Sequence, residues 1–341
     1  MCVSYKRKIK MKRIFISAAA LAVVFSTQLF AEVKELKISK QYGLPYLPLL
    51  VLEKQKLIEK NAQKNGVSDL KVDWITFTGG SDSNDALLSG NVHLISGGVT
   101  PFIRLWDKSN GKVKALTGLV QAPIYLNTSN ANIKTLDDFI AQNSKIALPS
   151  VKVSIQSTLL QIEAAKKYGI ENYEKYDYLT VSLKHPDALV ALTSSNSEIG
   201  GHFATEPFSS IELANKNIHN VLSSYDIIGN KHTAQLVSTS QKFYDENPKL
   251  TAVIVDSIKE SINWINNNKE EAAKLYVEAG NSKESLELIL GILNDPKNIY
   301  SAKPLGVEKF GEFLYKIGAI KTEIKSWEQF FFNPKDLASS K

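Results

Sequence analysis

Residues 79–108 read GGSDSNDALLSGNVHLISGGVTPFIRLWDK. Two glycine turns, Gly79-Gly80 and Gly97-Gly98, each stand before a segment of helical composition, and a short apolar strand at 92–96 separates them. The start of a helix leaves backbone N–H groups unpaired and carries the positive end of the macrodipole. Two such starts side by side at strand ends make a cradle for a small ligand, an anion above all. The stretch holds no catalytic constellation. It predicts one wall of a binding cleft.

Outward from this wall the same alternation continues. Toward the N-terminus, an extended run begins at Leu36, Ile38 and Lys40. A helical stripe of Leu47, Leu50, Val51, Leu57 and Ile58 follows Pro45 and Pro48, and a strand covers 70–77. Toward the C-terminus, a strand at 113–119 leads into an extended segment at 123–127 and a second round. That round has a helix at 135–142, a strand at 145–148, and a helix capped by Ser154 and ended by Gly169. A strand at 178–183, a helix at 186–193 and a strand at 197–203 complete it. Residues 221–228 and 234–238 read as strands that return the chain to its first half. Beyond them lie two helical stripes, Ile254, Ile258, Ile262 and Ile265, then Val307, Phe310, Phe313, Leu314 and Ile317, both of the spacing that packs on a core. Strand-helix alternation predicts parallel, helix-covered sheets, and its doubling predicts two lobes about a hinge.

With 341 residues, 43% of them hydrophobic, the chain can bury the core of two domains. Its net charge of +6 is misleading. Six basic residues, Lys6, Arg7, Lys8, Lys10, Lys12 and Arg13, precede residue 32, with no acidic residue among them. Setting them aside leaves 35 of the 41 basic residues against 35 acidic ones. A neutral body argues against nucleic acid as a partner. The basic segment, the apolar run at 14–30 and the final Leu29-Phe30-Ala31 have the order of a secretory signal peptide cleaved after Ala31, and either Met1 or Met11 can start it. The run is too short and interrupted for a membrane anchor, so no membrane insertion of the mature chain is expected. Cys2, the one cysteine, falls in the leader. The mature chain then has no thiol for a disulfide, a metal or a nucleophile.

NDALLSGNVHLISGG at 84–98, KVKA at 112–115, TLDDF at 135–139, IALP at 146–149 and TEP at 205–207, in that order behind an export signal, resemble the periplasmic substrate-binding proteins of ABC importers. The narrower similarity is to the group for nitrate, taurine, alkanesulfonates and thiamine-pyrimidine precursors. The resemblance implies an α/β fold of two lobes, periplasmic binding protein type II-like, with two crossover strands and a ligand cleft between the lobes. It places residues 32–121 and 232–341 in the first lobe and 122–231 in the second, with 1–31 as signal peptide. It also implies a periplasmic protein that closes by hinge motion on a small anionic solute and hands it to a membrane permease driven by a separate ATPase. The chain has no G-x-x-x-x-G-K loop of its own.

Strand ends supply the candidate ligand-binding residues. They are Tyr42, Gly80, Ser81, Gly98, Val99 and Thr100 from the first lobe, and Ser150, Lys152, Ser154, His202, Thr205 and Glu206 from the second. Glycine lets backbone N–H groups approach a ligand, and hydroxyls can donate or accept. Arg104 is the one arginine after the leader, so no cluster of arginine forks can hold an anion. Lys152, His202, hydroxyls and main-chain amides must serve instead. Tyr42 or Trp106 could stack on a less charged ligand, so a thiamine-pyrimidine precursor or other aromatic solute is the alternative, with an enzyme on the same fold behind it. Neither a G-x-S-x-G elbow nor H-E-x-x-H spacing among His93, His185, His202, His219 and His232 supports catalysis. No cofactor and no metal are expected.

Overall fold

The computed structural model describes residues 32–194, 197–279 and 284–339. The expected leader and Cys2 lie outside these residues. Strand β1 (Glu35–Lys40) is followed by helices α1 (Leu47–Gln55) and α2 (Leu57–Lys64), then β2 (Lys71–Thr76), α3 (Gly80–Leu88), β3 (Leu94–Gly98), α4 (Val99–Lys108) and β4 (Val113–Gln121). β1 pairs in parallel with β2 from Glu35↔Lys71 to Lys40↔Thr76, and β3 lies parallel on the other flank of β1. The chain therefore changes the side on which it adds strands after β2, which opens a crevice at the carboxyl ends of β1 and β3. The single helix expected across 47–58 is in fact two. Lys56, at φ 52, is left-handed and turns the chain between α1 and α2, while Leu47, Leu49, Val51, Leu52 and Ile58 stay buried on either side.

β4 passes without a helix into β5 (Tyr125–Thr128), the first strand of a second sheet. There follow α5 (Leu136–Ala141), β6 (Lys145–Leu148), α6 (Ile155–Tyr168), β7 (Thr180–Ser182), α7 (His185–Thr193), β8 (Ile199–Ala204), α8 (Phe208–Leu213), β9 (His219–Ser223) and α9 (Ser224–Ile228). The strand order is β7-β6-β8-β5-β9. Thr135 and Asp138 form a capping box on α5, and the Ser154 hydroxyl caps α6 by accepting from the Ser157 N–H. Gly169, at φ 91, ends α6 where a side chain would be strained. Residues 221–228, expected as one strand, divide in two. β9 stops at Ser223, whose hydroxyl caps α9 and whose N–H is taken by Asp226; Gly229 closes the short helix.

β10 (Thr233–Ser240) then returns to the first sheet and lies between β3 and β4, antiparallel to both. Helices α10 (Gln241–Glu246), α11 (Pro248–Asn267), α12 (Lys269–Ala279) and α13 (Leu286–Asn294), strand β11 (Ile299–Tyr300), and helices α14 (Val307–Lys316) and α15 (Pro334–Ala338) complete the chain. The first sheet has the order β11-β4-β10-β3-β1-β2. Both sheets are thus mixed rather than parallel. The reason is the pair of crossings: a chain that leaves from the end of β4 and re-enters at that end must run back, and Thr233 pairs with Gln121. Ile254, Ile258, Ile262 and Ile265 form the buried face of α11, and Val307, Phe310 and Leu314 that of α14. Phe313 and Ile317 are only partly buried. Among the described residues no helix is long and apolar enough to cross a membrane.

Gly201 on β8 leaves room for the fully buried Phe139 ring, since a Cβ there would lie 2.5 Å from it. Gly201→Ala is expected to lower stability by about 1–3 kcal/mol, read from chemical denaturation. An unchanged midpoint would contradict this packing.

Candidate functional site

The segments that follow β1, β2 and β3 face those that follow β6, β7 and β8 across a narrow cleft. Gln41 and Tyr42 extend from β1, Thr78 lies beyond β2, and Thr205 lies beyond β8. Four helices of nine residues or more start at this cleft. Gly80 opens α3, Gly98 precedes α4, Ser154 precedes α6 and His185 opens α7. Each start turns unpaired N–H groups and a partial positive charge to the same space. Among the described residues lining it, none is a lysine, arginine, aspartate or glutamate.

The two sides touch at several points. The Leu44 N–H donates to the Glu206 carbonyl oxygen at 2.8 Å, and the Thr100 hydroxyl donates to the Val153 carbonyl oxygen at 3.2 Å. Gly79 sits so close to residues 149–150 that a Cβ there would lie 2.5 Å from Ser150 Oγ and 3.1 Å from the Pro149 carbonyl oxygen. About 20 Å³ is left in which the centre of a water-sized molecule can sit. That is room for about one water-sized group.

Tyr42, Gly80, Gly98, Ser154 and Thr205 from the expected set line the cleft together. The other seven do not line it. Ser81 is half-buried in the first turn of α3, and Val99 is wholly buried behind Gly98. Thr100 and Ser150 take part in the contacts between the two sides. The Lys152 side chain is exposed, with its ammonium 3.5 Å from Glu174 and 4.0 Å from Asp177. Glu206 is buried, its carboxylate accepting from the Ser210 N–H at 3.1 Å. His202 has no exposure and stands one residue behind the wall.

Gln41, Thr78, Gln156, His185 and Gln235 also line the cleft and are not among the residues expected from the sequence. Gln41 adjoins the expected Tyr42, and Thr78 lies two residues before the expected Gly80. His185, beside Pro186 at a helix start, was visible only as one of five histidines. Gln235 on β10 carried no signal, because its place depends on the second crossing. Two buried atoms of the wall, Thr205 Oγ1 and Gln235 Oε1, have no hydrogen-bond partner.

Behind the wall, His185 Nδ1 lies 2.7 Å from His202 Nε2, and His202 Nδ1 is hydrogen-bonded to the Glu212 carboxyl. Burial pushes the Glu212 pKa up to about 8 and holds both histidines well below the usual imidazole range, His202 at about 3. Among the described residues no group of three or more His, Cys, Asp and Glu is placed to hold a metal ion.

Residues 30–278 match the model of the NMT1-like family. No curated protein matches the sequence. Among solved structures, the chain is similar to the alkanesulfonate-binding protein SsuA from Xanthomonas axonopodis pv. citri bound to MOPS. The identity is 15%, with 86% of this chain and 96% of that one covered and a TM-score of 0.67. The periplasmic nitrate-binding protein NrtA from Synechocystis PCC 6803 gives 13% identity, 91% and 86% coverage, and a TM-score of 0.68. The Candida albicans CA3427 product, described as having the generic periplasmic binding protein fold, gives 15%, 87% and 94%, and 0.63. At such identities the likeness establishes the fold alone. The chain belongs to the NMT1-like family and has the periplasmic binding protein fold.

Proposed function

We propose that this protein is the solute-binding component of an ABC importer and that the cleft takes a small anion such as nitrate, a sulfonate or a related compound. In this reading residues 1–31 direct export to the periplasm. Residues 32–121 with 232–341 form one lobe and 122–231 the other. The lobes close on the solute, and the closed form delivers it to a membrane permease with a separate ATPase. The protein binds and releases rather than catalyses.

The observation that carries this reading is the convergence of four helix starts on a cleft lined without acidic side chains. Micromolar binding needs about −8 kcal/mol. A helix start supplies about 0.3–1 kcal/mol and a hydrogen bond to a charged group about 1.5–3 kcal/mol. Four or five convergent contacts suffice after the cost of closing. Tyr42, Gly80, Gly98, Ser154 and Thr205 would touch the solute, with Gln41, Thr78, Gln156, His185 and Gln235. Ser81, Val99, Thr100, Ser150, Lys152, His202 and Glu206 would shape the closed state around it. A nitrate-sized ion needs the least widening of this cleft, whereas an alkanesulfonate needs the lobes to stand further apart. The second reading, a thiamine-pyrimidine precursor or another aromatic solute, has Tyr42 and Tyr46 in the wall in its favour.

Purified protein screened by thermal unfolding against nitrate, ethanesulfonate, taurine, an aromatic carboxylate and an aminopyrimidine should gain stability from one class. The gain is about 2.7 kcal/mol at a hundredfold excess over Kd. No shift with any of them would sink the reading. Gly79→Ala should weaken the best-bound solute by about tenfold in calorimetry, because its Cβ obstructs residues 149–150, while solute-free melting changes little. Wild-type affinity in that variant would reject close approach as part of the bound state. Thr205→Val removes a buried hydroxyl without a partner. It should raise solute-free stability by about 1 kcal/mol and weaken binding, and the reverse pattern would argue against solute contact there.

A further inference from the structure

A chain of hydrogen bonds, buried from Asn127 onward, runs from the second sheet to the cleft. Asn220 Nδ2 lies 3.2 Å from the Leu126 and Leu222 carbonyl oxygens and 3.1 Å from Asn127 Oδ1, so it is the donor. Asn127 therefore turns its own Nδ2 to Glu212 Oε2 at 2.8 Å and to Ser209 Oγ at 3.0 Å. The other Glu212 oxygen meets His202 Nδ1, and His202 Nε2 meets His185 Nδ1 at 2.7 Å. His185 is at the cleft wall, with Nε2 as its remaining ring nitrogen. The Gln156 amide nitrogen stands 3.5 Å from Nε2, longer than an ordinary hydrogen bond.

The number of protons on Glu212, His202 and His185 decides what His185 offers. With three, one lies in the Glu212–His202 bond on either side. The second sits on His202 Nε2 and is donated to His185 Nδ1, and the third sits on His185 Nε2 and faces the cleft. With two, the carboxylate takes the His202 Nδ1–H. His202 Nε2 then accepts from His185 Nδ1, and His185 Nε2 faces the cleft with a lone pair. The three-proton set is neutral and the two-proton set carries a buried negative charge. No lysine or arginine contacts Glu212 among the described residues, and an uncompensated buried charge is costly. Among the described residues, the ionisable groups about the relay include Glu206, itself a carboxyl, Tyr42 and Tyr46 in the same cleft wall, and Lys184 and Asp187 at the start of α7, paired with each other at 3.5 Å. The upward displacement of Glu212 and the downward displacement of His202 by burial agree with the neutral set.

We propose that Glu212 and His202 are positioning residues that hold His185 with Nε2–H directed into the cleft. The cleft then selects a solute with an unprotonated oxygen at that point, and loss of one proton from the relay reverses the donor and weakens binding. This deepens the importer reading and rests on its assignment of the cleft as the solute site. Glu212→Gln imitates the protonated acid, since its amide N–H can donate to His202 Nδ1 while its oxygen accepts from Asn127.

Nitrogen-15 NMR of the full chain labelled at histidine, without solute, from about pH 6 to about pH 10, reads the tautomers. The expected result is Nε2-protonated, neutral His185 and His202 at neutral pH, both changing to the Nδ1–H form as the relay loses its proton near pH 8. Glu212→Gln should hold the first form throughout. Nδ1-protonated His185 at neutral pH, or a variant that switches like the wild type, overturns the proposal. Nitrate and ethanesulfonate stay anionic over this range, so calorimetric titration with each reports the protein alone. Wild-type affinity should fall by at least about tenfold from neutral to alkaline pH, and Glu212→Gln should lose that fall. A flat wild-type profile overturns the coupling. Switching tautomers with neither anion bound at any pH overturns the anion selection and the reading of the cleft as an anion site, whereas a failed relay shows in the tautomers themselves.

Discussion

A helix cannot satisfy its own first N–H groups, and this protein places four such starts at one cleft. The sheet topology makes that possible. In each sheet the chain adds one parallel strand on one flank and the next on the other, so that the strand ends with their following helices surround a crevice. Glycine is needed where those starts come closest to neighbouring groups. A side chain at Gly80 would meet Pro101, and one at Gly79 would meet residues 149–150 on the far side. The wall is therefore mostly main chain, amide and hydroxyl.

Under the proposed function, such a wall would hold an anion in a chain with a single arginine after residue 31. Arg104 does not line the cleft; its Nε is buried without a hydrogen-bond partner, and its charge is influenced by burial, then by Tyr173 and Asp177. Lys152 is exposed beside Glu174. Attraction of an anion would be left to partial charges fixed in the backbone, which salt would screen little inside a closed cleft. The proposed neutral Glu212–His202–His185 set fits this scheme, because a full negative charge behind the wall would repel an incoming anion.

The stretch at 79–108 was legible because glycine pairs, a short apolar strand and amphipathic runs are local signals, and α3, β3 and α4 stand where it puts them. The cap at Ser154 was legible for the same reason, whereas Thr135, read as helical, is itself the cap of α5. Strand direction was not, since alternation says that strands and helices follow one another but not which way β5 and β10 run. The break at Lys56 rests on a backbone angle that lysine does not advertise. At 221–228, Val221, Leu222, Ile227 and Ile228 suit a strand, and the Ser223–Asp226 box that divides them is outweighed by their apolar run. In the site, Gln156, His185 and Gln235 look like ordinary polar residues until α6, α7 and β10 are brought to one place.

The pairing of Gln121 with Thr233 means that the whole second sheet is inserted between two neighbouring strands of the first. All five strands of the second sheet lie between residues 125 and 223, whereas the first sheet waits for β10 and β11. During N-to-C synthesis the inserted half can therefore complete its hydrogen bonding while β1, β2, β3 and β4 still lack the strand that joins β3 to β4. The strands made first, β1 to β4, thus belong to the sheet that closes last, and the unpaired edges at β3 and β4 are the surfaces most in need of protection on a growing chain.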